Sequence, residues 1–318
     1  VVSVRGQSLT PYNNHVLLLI NGRPLRDPIS GGLNSPTYNA FPIDIIDHIE
    51  VIRGPGSVLY GSCAYSGVIN IVTQKKIKEL YNADIELSAG SFDTYGHSAN
   101  LIVSDGALNA VFSAKRIQSA GPVFEFEDNP NPGKWDKAHW SREALGVFSN
   151  INYKNLSFNM LYEFFNPYAL GGANENWLEK RYALGTELHY SFFFDGGYQK
   201  EFNDLISINM NMTINRHRWH QEDFNTINGK SVLFEGSANM LLHESLNFIA
   251  GGTVERNDYK GERLIDGDDV TYSVYSQFDY KPVQKLKLIL GTQFNKIENI
   301  DGNLSPRIGA IFNLNEKI

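Results

Sequence analysis

The segment Ile206-Ser207-Ile208-Asn209-Met210-Asn211-Met212-Thr213-Ile214-Asn215 alternates without a break between apolar and polar side chains. Successive side chains of an extended chain point to opposite faces. One face of this segment is therefore wholly apolar, and the other is Ser, Asn and Thr. A strand with lipid on one side and water on the other requires that pattern.

The same alternation returns along the chain. Leu156, Phe158, Met160, Tyr162 and Phe164 oppose Ser157, Asn159 and Glu163. Leu184, Leu188 and Tyr190 oppose Gly185, Glu187 and His189, and Tyr272, Val274, Phe278 and Tyr280 oppose Ser273, Gln277 and Asp279. Ile308, Ala310, Phe312 and Leu314 repeat it near the end. A half-buried strand of a soluble sandwich alternates too, so length and loop rhythm have to separate the two. The alternating segments run to roughly 10–12 residues, enough for a tilted membrane strand, against about 5–6 in soluble sheets. Short turns at Ser104-Asp105-Gly106, Tyr153-Lys154-Asn155, His243-Glu244-Ser245 and residues 281–285 are interleaved with longer polar loops at 118–140, 166–180, 219–230 and 257–270. Outer-membrane barrels show that rhythm. Tyr153, Phe164, Trp219, Tyr259 and Tyr280 stand at expected strand ends, as aromatic girdles do.

Composition removes other classes. The 318 residues are 42% hydrophobic and 12% aromatic, too apolar for a disordered chain. Lys and Arg number 28 against 35 Asp and Glu, and a net charge of −7 argues against non-specific nucleic-acid binding. The single cysteine, Cys63, excludes an intramolecular disulfide framework and a multi-cysteine zinc module, and reads as a small buried residue. The longest aliphatic run, Val16-Leu17-Leu18-Leu19-Ile20, is far short of the about 20 residues of a spanning helix. The chain opens on Val1 in what reads as mid-strand, with no signal peptide pattern. It stops at Asn315-Glu316-Lys317-Ile318, where a turn is expected, and so reads as a fragment.

Before residue 76 the pattern differs. Val16 to Ile20 followed by Asn21-Gly22 reads as a buried strand ending in a tight turn. Residues 43–46 after Pro42 form a short apolar turn, and Ile49-Glu50-Val51-Ile52 and Gly67-Val68-Ile69-Asn70-Ile71-Val72 read as two more strands. Residues 26–38 form a long polar loop. The expected organisation is a small α+β domain over 1–76 and an all-β membrane barrel over 77–318.

Three stretches resemble the plug of TonB-dependent outer-membrane receptors: Ser3-Val4-Arg5-Gly6; Val16-Leu17-Leu18-Leu19-Ile20-Asn21-Gly22-Arg23-Pro24-Leu25; and Ile49-Glu50-Val51-Ile52-Arg53-Gly54-Pro55-Gly56-Ser57-Val58-Leu59-Tyr60-Gly61-Ser62, continuing to Gly67-Val68-Ile69-Asn70-Ile71-Val72-Thr73. Cys63-Ala64-Tyr65-Ser66 departs from the family, which often has an Asp or Asn before two small residues. The resemblance implies the C-terminal part of a plug and about 12 of the about 22 antiparallel strands of a transporter barrel. It further implies a monomer in the bacterial outer membrane, in contact with lipid. Ligand would bind between plug loops and barrel loops at the outer face. TonB and its inner-membrane energising complex would act through a segment upstream of Val1. The expected cargo is a scarce nutrient complex, with a ferric siderophore first and cobalamin or haem as alternatives.

Several positions are singled out as sites. By resemblance, Arg5 and Arg53 lie on the plug surface against inward barrel carboxylates, with Glu50 beside Arg53. Glu86, Glu163, Glu187 and Glu235 are available as partners, because a buried guanidinium needs one. The loop 26–38 is the ligand candidate, through Arg26, Asp27, Ser30, Asn34 and Tyr38. A cation and an aromatic platform suit an anionic chelate, and an ordinary solvated loop is the alternative. His217-Arg218-Trp219-His220 reads either as a haem or metal ligand or as scattered surface histidines. Asp266-Gly267-Asp268-Asp269 reads as a Ca²⁺ loop or a solvated turn. Residues 124–140, with Trp135, His139 and Trp140, are a loop placed to fold over ligand. Gly54-Pro55-Gly56 is not a dinucleotide loop, since Leu59 stands where a third glycine belongs. No resident cofactor or metal is expected. No catalytic constellation has local support, so no enzyme is expected. A passive porin or a surface adhesin remains the reading from another class.

Overall fold

A computed structural model describes residues 15–32, 34–53, 64, 66–74, 79–127, 135–139, 141–167, 187–221, 225–262 and 266–312. Arg5, Cys63, the Gly54-Pro55-Gly56 turn and Trp140 lie outside the described residues.

The first four strands are β1 (Val16–Ile20), β2 (Arg23–Leu25), β3 (Ile46–Arg53) and β4 (Gly67–Thr73). They form one sheet in the order β2-β1-β4-β3. The β1–β4 pair is parallel and the other two are antiparallel. Asn21 (φ 50°) and Gly22 (φ 80°) close the β1–β2 hairpin. Two residues at positive φ give the turn whose twist matches the strands, and Asn-Gly is the pair that adopts it at least cost. The loop expected over 26–38 is shorter than its polarity suggested: it gives way to helix α1 (Ser35–Ala40), with Pro36 in the first turn. Proline fits there because that N–H has no partner within the helix. The apolar turn after Pro42 is a 3₁₀ turn over Ile43–Ile45.

Then come β5 (Tyr81–Gly90), β6 (Thr94–Asp105), β7 (Leu108–Ser119), β8 (Val123–Glu127), β9 (Trp135–His139), β10 (Arg142–Tyr153) and β11 (Leu156–Pro167). They are followed by β12 (Glu187–Asn203), β13 (Ile206–Gln221), β14 (Asn225–His243), β15 (Leu246–Gly261), β16 (Gly267–Val283), β17 (Leu286–Ile297) and β18 (Asn303–Phe312). All but β8 and β9 join one 12-stranded antiparallel sheet, each strand beside its neighbour in sequence. β8 and β9 pair with each other inside the segment read as a single loop.

The alternation resolves inside out. On β13, Thr213 and Asn215 are buried at 0% and 2% exposure, while Met210 is 56% exposed. Polar side chains face the plug and apolar ones face away, the reverse of a soluble sheet and the arrangement a lipid solvent demands. The short turns fall where the sequence put them. Two expected long loops do not: β13 and β14 stay paired to Gln221 and Asn225, and β15 and β16 to Tyr259 and Gly267. Polar side chains on both faces mark water rather than a break in pairing, since an antiparallel ladder is satisfied by its own backbone wherever it stands.

The plug leans on an apolar patch of the otherwise polar wall. Leu18, Ile20, Leu25, Phe41, Ile45 and Ile71 form one buried cluster with wall residues Ile102, Val111, Phe148, Leu161 and Phe193. Phe41 meets Phe148 with ring centroids 5.7 Å apart. These wall positions are apolar where the plug displaces water. Gly146 on β10 lets α1 approach, since a Cβ there would stand 2.1 Å from the Ala40 carbonyl oxygen.

Candidate functional site

The Asn21-Gly22 turn points the plug hairpin at the short-turn end of the wall. Asn21 Nδ2 donates to Asn159 Oδ1 at 2.8 Å, on β11 near the β10–β11 turn. The Asn21 amide also joins the plug to itself, donating to Thr73 Oγ1 at 3.0 Å and accepting from Thr73 N at 2.9 Å. Arg23 then crosses to the wall. Its Nε lies 3.0 Å from Asp195 Oδ2, its Nη1 2.7 Å from Glu235 Oε2, and its Nη2 donates to Thr213 Oγ1 at 3.2 Å. One guanidinium thus binds β12, β13 and β14, using the fork geometry that a lysine lacks. Thr213 Oγ1 and Asn211 Nδ2 also donate to Asp195, and Tyr275 on β16 donates to Glu235 Oε1 at 3.0 Å.

The sequence points to Arg5 and Arg53 as the plug arginines facing inward carboxylates, with Glu235 among the available partners; the structure places Glu235 on Arg23. The sequence reading passes over Arg23, although Arg23 lies in a stretch that carries the family resemblance. Strand parity was the available signal, because Asp195 ends Phe192-Phe193-Phe194 on the face opposite Phe194. Arg53 ends β3 and is exposed. Glu50 accepts from Asn70 Nδ2 at 2.8 Å and lies 3.4 Å from His48 Nε2. The Asp47 and Glu50 carboxylates raise the His48 pKa above its ordinary value. Glu163 is fully buried and accepts from Thr37 Oγ1 of α1 at 2.8 Å. Glu86 on β5 is exposed, and the Glu187 side chain lies outside the described residues.

The loop after β2 sits at the long-loop end, packed on the wall. Arg26 Nη2 lies 3.2 Å from Glu255 Oε2. Asp27 is buried: its Oδ1 accepts from Ile29 N at 3.2 Å, its Oδ2 from Ser30 N at 3.0 Å and from the Ser30 hydroxyl, and its backbone oxygen from Gly31 N. His217 Nδ1 on β13 is 3.2 Å from Asp27 Oδ1. Burial alone would raise the Asp27 pKa; the His217 hydrogen bond and charge, with the Ser30 contacts, outweigh it and leave the pKa below the ordinary value. Asn34 is buried and caps no backbone N–H with its side chain, while Tyr38 is half exposed. Of the five ligand candidates, Arg26, Asp27 and Ser30 are thus engaged with the wall or with one another, and Tyr38 presents the open face.

His217 did not stay a surface histidine. It is buried, and its Nε2 lies 3.4 Å from His189 Nδ1 with the two rings nearly parallel and 5.6 Å apart, while the His189 ring lies nearly parallel to Trp219 at 6.2 Å. The two nitrogens point at each other, so one ring N–H donates to the other ring, and among the described residues no group of three His, Cys, Asp or Glu side chains gathers to hold a metal ion. His220 bonds Thr226 across the β13–β14 pair. The Ca²⁺ candidate is also resolved into strand: Asp268 pairs with Arg256, Asp269 accepts from Asn257, and Asp266 accepts from Gly261 N. Beside the plug hairpin, β14–β18 line a cavity of about 410 Å³ that reaches the long-loop end at Ile300 and Asp301. Four of its charges, Arg23, Arg26, Glu235 and Glu255, are paired across the plug–wall boundary, and Asp301 at the long-loop end is a fifth.

Residues 1–68 match the family model of the TonB-dependent receptor plug domain. The vitamin B12 transporter BtuB of Vibrio vulnificus is 28% identical over 209 residues, which are 59% of this chain and 31% of that protein. Among solved structures, the FrpB iron transporter of Neisseria meningitidis superposes with a TM-score of 0.75 at 12% identity, over 96% of this chain and 56% of that one. The ferric enterobactin receptor PfeA of Pseudomonas aeruginosa gives 0.76 at 15% identity, over 96% and 52%. The chain spans about a third of that curated relative and about half of those solved chains.

Proposed function

We propose that this chain, a TonB-dependent receptor of the outer membrane by its plug domain and its barrel, serves energised uptake of a scarce metal chelate, with a ferric siderophore as the first cargo. The observation that carries the reading is the Arg23 cluster, a plug cation tied to three wall strands at once. A passive pore has no use for a folded domain fastened across its lumen. Outside energy is needed to release such a domain, since the outer membrane holds no nucleotide. TonB and its energising complex would supply that pull.

Ligand would enter from the long-loop end, into the cavity beside Arg26 and past the exposed ring of Tyr38. Arg53 and Glu50, on the exposed face of β3, keep their proposed role in fastening the plug. A second reading, a corrinoid as cargo, draws support from the vitamin B12 transporter relative and from the absence of unpaired charge among the described cavity arginines. The test is uptake of radiolabelled ferric chelates, haem and cobalamin by a Gram-negative host lacking its own receptors, with and without an intact energising complex. Uptake of one ligand that stops when the complex is removed is the expected result. Uptake that persists without the complex would favour a passive pore, and no uptake would favour a docking or adhesive role.

A further inference from the structure

Inward of the large cavity lies a second pocket of about 210 Å³, between the Asn21–Arg23 turn and the short-turn ends of β10 to β13. Its lining is amide-rich, including Asn150, Asn152, Asn159 and Asn209. Among the described residues that line it, the only charges are Arg23 and Asp195, which pair with each other at 3.0 Å. Arg23 also lines the large cavity, where its other partner is Glu235. Arg23 therefore lines both cavities, one reaching the long-loop end at Ile300 and Asp301 and one lined by the short-turn ends of β10 to β13.

The amide chain explains why the pocket holds its shape. Asn152 donates to Asn150, Asn150 to Asn159, and Asn21 of the plug to the same Asn159 oxygen. Each primary amide offers two donors and two acceptor lone pairs, so the lining presents both kinds of site without net charge. A polyanionic chelate entering would shed water and meet no unpaired cation. A neutral solute carrying amides and hydroxyls would exchange water for matched hydrogen bonds at little cost.

We propose that this pocket is a second solute site, separated from the outer cavity by Arg23, and that it takes neutral solutes rich in amide and hydroxyl groups. The inference rests on the uptake reading only for its purpose, not for its chemistry. Within that reading it points to the neutral metal chelates rather than the polyanionic ones.

The test is chemical protection in the purified protein. Asn209→Cys, in a Cys63→Ser background, places one thiol on the lining, and Gln199→Cys places one on its register partner. Both are labelled with a small neutral maleimide, in the presence of N,N′-diacetylchitobiose (neutral, two amides) or citrate (hydroxylated trianion). A site of about 1 mM affinity would be about nine-tenths filled at about 10 mM probe, slowing labelling about tenfold. The expected result is that slowing with diacetylchitobiose at both positions and none with citrate. Equal protection by citrate, or no protection by the neutral probe at either position, overturns the proposal. Protection without any energised uptake would sink the uptake reading and leave the pocket standing.

Discussion

The guanidinium of Arg23 and the carboxylate of Asp195 meet at 3.0 Å across 172 positions of sequence, one on the plug and one on the wall. Asp195 is almost wholly enclosed, with 1% of its side chain exposed. Removing the cation leaves Asp195 and Glu235 without a counter-charge, held only by the neutral donors Thr213, Asn211 and Tyr275. Breaking a buried pair from one side costs about 3–5 kcal/mol, so Arg23→Gln should lower the melting temperature of the detergent-solubilised protein by several degrees. Arg23→Lys should recover only part of that, because one ammonium cannot reach three strands. A melting curve for Arg23→Gln that overlays the wild type would show that the cluster fastens nothing.

Gly146 offers a second test of the plug–wall fit. A Cβ on this residue would collide with the backbone of Ala40, which cannot swing aside as a side chain could. Overpacking of this kind costs about 1–3 kcal/mol. Gly146→Ala should therefore speed hydrogen exchange in α1. Gly236→Ala is the control, since nothing lies within 4 Å of its added carbon. If the two substitutions behave alike, α1 does not rest on β10 as described.

Phe148→Ala removes the ring that Phe41 packs on, from a position 1% exposed. Loss of a buried Phe costs about 3–5 kcal/mol. The expected outcome is a plug that limited proteolysis cuts more readily while the barrel resists, as read by gel and mass spectrometry. A wild-type cleavage pattern would place the docking energy elsewhere.

The sheet was legible in the sequence because its signal is a period of two repeated over many strands, as in Ile206 to Asn215. The plug strands were legible from a five-residue aliphatic run and an Asn-Gly pair. What stayed hidden depends on contacts that parity cannot name. Leu161 sits between Asn159 and Glu163 on the polar face, and only the arrival of Ile20 and Phe41 from the plug gives it a reason. In the sequence Arg23 belongs to a family stretch, and parity turns Asp195 inward without saying which cation it meets. His217 and Asp27 are 190 positions apart, and each looks like a surface residue until the loop folds against β13.

That last contact predicts a pH window. The folded-state pKa of Asp27 is lowered, so its contribution to stability is present above the ordinary carboxylate pKa of about 3.9 and is lost as pH falls through the folded value. Hydrogen exchange in residues 26–32 should be flat, once corrected for intrinsic rates, from about pH 7 to about pH 5, and should rise below about pH 4. Asp27→Asn should abolish that rise and show faster exchange throughout. A loop that loosens near pH 6 in the wild type would instead assign the transition to histidine.

The outward face of β13 carries the final prediction, because it decides which solvent the wall was built for. Met210 is 56% exposed between Ile208 and Met212, and its neighbours across the ladder are Tyr198 and Gly236. In water, Met210→Arg on such a face would be neutral or would help solubility. In a bilayer, an arginine near the midplane of a barrel strand costs about 2–4 kcal/mol. The substitution should therefore lower the yield of heat-modifiable, membrane-integrated protein. Asn211→Ser, one position along and facing the lumen, should leave that yield unchanged. Equal yields for Met210→Arg and wild type would mean that the apolar face does not meet lipid.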